Sequence, residues 1–197
     1  MILYDNPLSG NCYKVRLLFS HLGLEYERRE LDVIDRSGRV ELLTELNPAL
    51  RIPTLVLDDG RALAESNAIL FYFANGTDYL PDDDFERAQV LQWLFFEQYS
   101  HEPHIAVARF WRIAGITPEP RELEAKEQAG HAALSALDRR LTDYHFLVAE
   151  RYTIADIALY AYTHVAPEGG FELEAYPAIE AWLRRVAAQA GHSPITA

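Results

Sequence analysis

The sequence predicts an α/β unit at the N-terminus and an all-helical unit after it. Up to residue 74, short β-branched or apolar runs such as residues 2–4 alternate with segments of helical period, where Val15 and Leu18 are examples. A polar stretch with Pro81 and three aspartates follows. Beyond it, apolar residues recur almost everywhere at helical spacing. This order favours an α/β domain joined to a helical one.

Seven elements are predicted in the first part. Asp59-Gly60 is a two-residue hairpin signal between two β-rich runs, and Gly23 is a helix stop signal. The predicted strands cover residues 2–4, 26–33, 54–57 and 62–64, and the predicted helices cover residues 11–22, 39–46 and 66–74. The order is therefore β-α-β-α-β-β-α.

The second part is predicted to be helical throughout, with a kink near Pro103. Thr153 and Asp156 have the spacing of a capping box, which predicts a helix that starts at residue 154. Further helices are expected at residues 119–144 and 179–188. We place the first domain at residues 1–76, the linker at 77–84 and the helical domain at 85–197.

Composition and charge exclude several classes of protein. The 197 residues are 49% hydrophobic and 24% charged, as expected of a soluble globular protein. The net charge of -12, from 30 acidic and 18 basic residues, argues against a nucleic-acid or anionic-membrane partner. A single cysteine, Cys12, excludes an internal disulfide and a cysteine-built zinc site. The first residues carry no export signal, so we expect a cytoplasmic protein.

The stretch around the hairpin has the features of a ligand site. Pro53 lies at the mouth of a strand, where Ile52 keeps an amide and a carbonyl for an extended ligand. Ser66 is predicted to be the N-cap of the next helix, and a helix start with a hydroxyl binds carboxylates readily. From these residues alone, the favoured interpretation is that Pro53 is an ordinary turn residue and that Ser66 only caps its helix.

The pairing of Arg51-Ile52-Pro53-Thr54-Leu55 with Glu65-Ser66 resembles the glutathione-binding signature of the cytosolic glutathione transferases. The run Tyr-Thr-Ile-Ala-Asp at residues 152–156 is similar to the N-capping motif of their helical domain. The resemblance covers essentially the whole chain. It implies an α/β N-terminal thioredoxin-like domain of order βαβαββα, followed by an all-α helical domain. The sequence departs from the family at Leu50, where glycine is usual, and at Ala149-Glu150, which replaces a frequent Gly-Asp.

The resemblance also assigns roles in glutathione binding. It implies a cis bond at Pro53, a main-chain pairing of Ile52 with the cysteinyl part of glutathione, and a site for the γ-glutamyl end at Glu65 and Ser66. Among the nearby cations, Arg51 is the preferred partner for the glycine carboxylate, with Arg36 and Arg39 as further candidates.

The turn after the first strand is where the family places its catalytic group. Ser9 aligns with the serine of the theta-like and zeta-like classes, and the pattern Ser9-x-Asn11-x-x-Lys14-Val15 resembles the nu-like pattern. Lowering a thiol pKa from about 8.5 by about two units takes roughly 2.7 kcal/mol. Hydrogen bonds to a charge supply roughly 1.5 to 3 kcal/mol each and a helix N-terminus roughly 0.3 to 1 kcal/mol. Ser9, Asn11 and the helix start are therefore sufficient. The alternatives are a capping role for both residues and a catalytic Cys12.

A pocket for the second substrate is expected in the helical domain. His101 and His104 lie three residues apart, but Pro103 stands between them and the zinc-protease spacing is absent, so we expect no metal. The pocket residues that we predict are His101, His104, Arg109, Phe110 and Trp111. A structural role for the aromatic residues is an equal alternative.

The resemblance implies a glutathione S-transferase that conjugates the glutathione thiolate to a small, electrophilic, apolar substrate. Glutathione is then a co-substrate, and the protein is expected to be a homodimer. Two alternatives remain open: a nu-like reductase of disulfides or peroxides, and a non-catalytic binding module.

Overall fold

The structure is a computed structural model that describes all 197 residues. It divides into two units, Met1–Asn75 with Ala190–Ala197, and Gly76–Gln189. The last eight residues thus group with the α/β unit, whereas the boundary drawn from the sequence groups them with the helices. Tyr13 and Ser20 on the first helix hold them, through hydrogen bonds to the carbonyls of Ser193 (2.7 Å) and Gly191 (2.8 Å).

The first unit contains the predicted β-α-β-α-β-β-α order in a four-stranded mixed sheet. The strand order is β2-β1-β3-β4, with β1 parallel to β2 and antiparallel to β3, and with β3 antiparallel to β4. The thioredoxin-like prediction is therefore confirmed. The elements are β1 (Ile2–Asp5), α1 (Gly10–Leu22), β2 (Glu27–Glu30), α2 (Arg39–Leu43), β3 (Thr54–Val56), β4 (Ala62–Ala64) and α3 (Ser66–Ala74).

The central strands are apolar on both faces, because helices cover both sides of the sheet. Leu3 and Leu55 are paired in the register and pack with α1 and α3 in one core cluster. Tyr4 points to the opposite face and packs with Leu31 and Leu43. Alternation along β1 thus divides its side chains between two hydrophobic layers.

Two elements are shorter than predicted. Strand β2 is limited to Glu27–Glu30, an edge strand paired on one side only, and all four of its side chains are exposed. Charged residues protect such an edge from pairing with other strands. Helix α2 ends at Leu43, where Thr44 donates its hydroxyl back to the Val40 carbonyl (2.6 Å).

The second unit is helical, as predicted. The kink expected near Pro103 is a five-residue π-helical turn, which joins two helices where the proline has no amide to donate. No helix of the chain combines the length and the apolarity that a membrane crossing requires. The helices are α4 (Asp84–Phe96), the π turn (Glu97–His101), α5 (Glu102–Ile113), α6 (Pro120–Asp143), α7 (Ile154–Thr163), a 3-10 turn (Ala166–Gly169) and α8 (Pro177–Ala187).

The buried helix α7 begins with the predicted capping box. The Asp156 carboxylate accepts from the Thr153 amide (3.0 Å) in the box, and also from the Leu147 amide (3.1 Å) and the Trp182 indole (2.9 Å). One side chain therefore ties α7 to the preceding loop and to α8. Burial nevertheless raises the pKa of Asp156 to about 6.

Candidate active site

The loop between β1 and α1 is fixed by buried polar contacts. The Asn6 side chain donates to the Leu31 carbonyl (3.0 Å) and accepts from the Leu8 amide (2.9 Å), and the Ser9 amide donates to the Asn6 carbonyl (3.1 Å). Just before this loop, the fully buried Asp5 carboxylate pairs with Arg16. These bonds, together with that of the Ser9 amide, fix the position of Ser9.

Ser9 is the N-cap of α1. Its hydroxyl oxygen accepts from the Cys12 amide (3.2 Å), and its backbone is extended, as an N-cap requires. A serine hydroxyl carries one proton and two lone pairs, so accepting this bond leaves the proton for donation. The capping role and the thiolate-donor role of Ser9 are thus compatible.

Three polar residues meet at the start of α1 and α3. The Lys14 ammonium donates to the Asn11 amide oxygen (2.8 Å) and to the Ser66 hydroxyl (3.3 Å), and that hydroxyl lies 3.3 Å from the same Asn11 oxygen. Lys14 and Ser66 are buried, whereas Asn11 is half-buried. The fold therefore brings the predicted thiolate donor Asn11 against the predicted γ-glutamyl residue Ser66.

Cys12 is unsuited to nucleophilic chemistry in this structure. Its side chain is fully buried. Burial and the negative charge of Asp5 raise the pKa of the Cys12 thiol far above its ordinary range, and hydrogen bonds from Ser9 and Asn6 oppose this only in part. The thiolate that a cysteine-type enzyme needs is therefore strongly disfavoured here.

The loop before β3 presents the main chain of Ile52. The Ile52-Pro53 bond is cis. The Arg51 carbonyl accepts from the Asn47 amide (3.0 Å) and from the Thr54 hydroxyl (2.7 Å), which anchors the loop on both sides. Pairing with β1 begins only at Thr54, so Ile52 lies outside the ladder. Its amide and carbonyl therefore make no ladder bond to β1, and the pairing of Ile52 with an extended peptide stays a prediction.

The prediction that Ser66 is a helix N-cap is wrong. Glu65 occupies that position and makes no side-chain cap bond, and Ser66 is the first residue of α3. Glu65 has a φ of 66°, which is unfavourable for a residue with a side chain and is typical of functional sites. The Ser66 hydroxyl therefore serves the polar cluster with Asn11 and Lys14, while Glu65 is exposed.

The three candidate arginines differ in their exposure to solvent. Arg39 is buried and donates to the Asp32 carbonyl (2.9 Å). Burial and the neighbouring charge of Arg36 lower the pKa of Arg39, and Arg51 adds to this effect. Arg36 and Arg51 are exposed. The charges of Arg36 and Arg51 thus act on Arg39 against the opposite charge of Asp32, and we call these three arginines the cationic patch.

The predicted pocket residues of the helical unit do not form one open surface. His101 is fully buried, and its Nε2 lies 2.9 Å from the Thr163 hydroxyl. Arg109 is also buried and pairs with Glu168 (2.6 Å). His104, Phe110 and Trp111 are half-buried, and their role in a substrate pocket stays a prediction. Burial lowers the pKa of His104, and the charge of Lys126 adds to this.

Lys14 is the residue that the sequence analysis left without a role. Its spacing of three residues from Asn11 places both on one face of α1, which was an available signal. Its contact with Ser66 joins residues 52 positions apart, and no local pattern reveals such a contact. No group of three or more His, Cys, Asp or Glu side chains in the chain is placed to share a metal ion.

The first unit thus combines a thioredoxin-like sheet, a loop with a cis proline and a polar cluster at the starts of two helices. Comparison with known families agrees. Residues 8–75 match the model of the glutathione S-transferase N-terminal domain, and residues 91–190 match that of the C-terminal domain.

Individual relatives support the same class. A glutathione S-transferase structure from Pseudomonas fluorescens Pf-5 is 47% identical, with a TM-score of 0.95 over 100% of this chain and 98% of that one. Glutathione S-transferase 2 of Anopheles gambiae is 31% identical over 91% of this chain and 86% of its own length. The disulfide-bond oxidoreductase YfcG of Escherichia coli K12 is 30% identical over 93% of this chain and 88% of its own length.

The chain therefore belongs to the glutathione S-transferase family, whose members use glutathione as a substrate.

Proposed function

We propose that this glutathione S-transferase joins the glutathione thiolate to a small, apolar, electrophilic substrate. Glutathione lies along the Ile52-Pro53 loop in an extended conformation, with its γ-glutamyl end at Glu65 and Ser66. Its glycine carboxylate lies towards the cationic patch, where Arg51 is the exposed partner. Ser9 and Asn11 donate hydrogen bonds to the thiolate.

The contact between Asn11 and Ser66 carries this proposal. The two side chains come from different helices and lie 3.3 Å apart, so a ligand held at Ser66 necessarily passes close to Asn11. The γ-glutamyl and cysteinyl groups of glutathione are joined by one amide, and a compact pair of sites suits them.

The energy available at this site is sufficient for thiol activation. Two hydrogen bonds to a charged sulfur, at roughly 1.5 to 3 kcal/mol each, cover the roughly 2.7 kcal/mol that a two-unit fall in pKa requires. The start of α1 adds roughly 0.3 to 1 kcal/mol. Neither donor needs a shifted pKa of its own, because neither transfers a proton to the substrate.

Ultraviolet difference titration of the glutathione complex tests the proposal. The thiolate absorbance should appear well below the pKa of about 8.5 of a free thiol. The Cys12→Ser variant is the control, and it should give the same titration and nearly full conjugating activity, because the buried Cys12 thiol does not ionise. A titration that matches free glutathione would refute thiol activation, and loss of activity in Cys12→Ser would restore the cysteine mechanism.

A second candidate function is the reduction of disulfides with glutathione. The similarity to the disulfide-bond oxidoreductase YfcG favours it. Both reactions begin from the same thiolate. Comparing initial rates with an aryl halide and with a small disulfide such as 2-hydroxyethyl disulfide distinguishes them, and a much faster disulfide reaction would make the reductase the principal activity.

The protein is also proposed to form a homodimer through α4 and the π turn. The three most exposed large apolar side chains, Phe85, Phe95 and Tyr99, all lie there, with exposed fractions of 71%, 69% and 85%. Phe95 and Tyr99 are four residues apart and share a helix face. Exposed aromatic residues on one face are typical of a protein interface.

A further inference from the structure

Lys14 has an environment that is costly for a cation. Its side chain is completely buried, although it lies in the second turn of α1, between the apolar residues Tyr13 and Val15. A buried ammonium is retained only where hydrogen bonds or opposite charge compensate the lost hydration. Two of its hydrogen-bond partners, Asn11 and Ser66, are uncharged, so they solvate the ammonium without cancelling its charge.

The buried cation is a lysine, although most basic residues of the chain are arginines. The chain has 18 basic residues and only two of them, Lys14 and Lys126, are lysines. Lysine presents a compact charge with three donors, whereas arginine presents a wide planar fork. The ammonium of Lys14 uses two of its donors on Asn11 and Ser66, at 2.8 and 3.3 Å.

Lys14 also settles the orientation of the Asn11 side chain. An ammonium has donors only, so the Asn11 atom that lies 2.8 Å from it is the amide oxygen. The amide nitrogen, with its two donors, is then at the other end of the group. Because Ser66 contacts the same oxygen, the donor end of Asn11 is fixed by two neighbours.

We propose that Lys14 is a positioning residue for thiol activation. It aims the Asn11 amide nitrogen at the glutathione sulfur, and its buried positive charge favours both anionic groups of the bound peptide, the thiolate near Asn11 and the γ-glutamyl carboxylate at Ser66. A charge in a buried site acts over a longer range than an exposed one, because solvent screens it less. This inference rests on the proposed glutathione site.

Substitution with a readout of the bound thiol tests the role. Lys14→Met and Lys14→Gln remove the charge, and Gln retains a donor for Asn11. In both variants the pKa of bound glutathione should rise by about one unit, which is a tenfold loss of thiolate at a pH below it. The KM for glutathione should rise as well.

Tyr13→Phe is the matched control, because Tyr13 is a buried residue of the same helix whose hydroxyl bonds to the Ser193 carbonyl in the C-terminal segment and not to Asn11 or Ser66. It should leave the thiol pKa unchanged.

A second measurement follows Lys14 in the wild-type protein and needs no substitution of Lys14 itself. With lysines labelled with nitrogen-15, the protein gives two ammonium signals, and Lys126→Arg assigns them. The Lys14 signal should move when glutathione binds, and it should move again as the bound thiol titrates. With S-methylglutathione, which has no ionisable thiol, the second change should vanish. Lys126, which donates to the Pro103 carbonyl in the other unit, is the internal reference.

The outcomes separate the two proposals. If wild-type protein lowers the thiol pKa but folded Lys14→Met lowers it equally, Lys14 has no role in activation. A Lys14 signal that ignores the thiol titration leads to the same conclusion. If the wild type itself leaves the thiol pKa at its free value, the proposed function and the role of Lys14 both fail.

Discussion

At the residue scale, Ser9 and Asn11 are distinguished by how firmly each is held. Ser9 is anchored through one acceptor bond at the helix cap, and Asn11 through two contacts at its oxygen. We expect Ser9→Ala and Asn11→Ala each to raise the pKa of bound glutathione by about one to two units, because each removes a charge-assisted hydrogen bond worth roughly 1.5 to 3 kcal/mol. The measurement is the titration of bound thiolate, with turnover at neutral pH.

The relative size of the two effects identifies the principal donor. A larger rise in Ser9→Ala favours the serine-type assignment, and a larger rise in Asn11→Ala moves the main role to Asn11. Ser9→Ala should also lower stability by about 1 kcal/mol, because it removes the cap of α1. Full activity in both variants would show that neither side chain contacts the sulfur.

Ser66 gives a second prediction at this scale. Because Ser66 is not the N-cap of α3, Ser66→Ala should lower glutathione affinity through loss of a carboxylate partner and leave the start of the helix intact. We expect a several-fold rise in the dissociation constant, measured by calorimetry. The control is Thr153→Ala, a true cap in the helical unit, which should lower the melting temperature without changing affinity. Unchanged affinity in Ser66→Ala would remove it from the site.

At the element scale, α7 depends on Asp156 in a way that changes with pH. Folding raises its pKa from 3.8 to about 6, so the folded state holds the proton over a range in which the unfolded state has lost it. The contribution of this carboxyl to the free energy of unfolding is therefore fully present below about pH 4. It falls by about 3 kcal/mol in total as the pH rises to about 6. Asp156→Asn has no such proton. The difference in unfolding free energy between the two proteins, measured with denaturant, should change by this amount between pH 4 and pH 7. A constant difference would contradict the raised pKa.

The sequence was sufficient for the elements that carry their own signals. Residues 66–74 and 154–163 were predicted with the boundaries that the structure has, because a hairpin precedes one and a capping box begins the other. The limits of β2 and α2 were predicted less well, since an edge strand of charged residues and a five-residue helix are fixed by tertiary contacts rather than by periodicity.

Parts of the site depended on information that no local pattern contains. The meeting of Asn11 with Ser66 joins residues 55 positions apart, and the burial of Lys14 follows from that meeting. Local rules also misplaced the N-cap, because Glu65 adopts a positive φ that propensity disfavours. Leu50 and Ala149, which stand where the sequence comparison expected glycine, have positive φ values of 52° and 55°, a conformation that glycine adopts more readily.

At the scale of the whole molecule, net charge and ligand charge have the same sign. The chain carries -12, and glutathione is an anion that becomes more negative when its thiol ionises. The global field opposes binding, so affinity must come from local positive charge. In the α/β unit the candidates for this charge are the buried Lys14 and Arg39 and the exposed Arg36 and Arg51.

The last prediction concerns assembly. If α4 and the π turn form the dimer interface, light scattering at micromolar concentration should give a mass near twice the 22.4 kDa of one chain. Replacing Phe95 and Tyr99 together with glutamate should bring the mass to that of a monomer, because charge is disfavoured at the centre of an apolar interface. Ile116→Glu is the matched control, since Ile116 is 46% exposed in the same unit but lies beyond α5, and it should leave the dimer intact. A monomeric wild type would overturn the homodimer. If the variant with Phe95→Glu and Tyr99→Glu is still a dimer, the interface lies on another surface. The exposed aromatic residues would then bind a different partner.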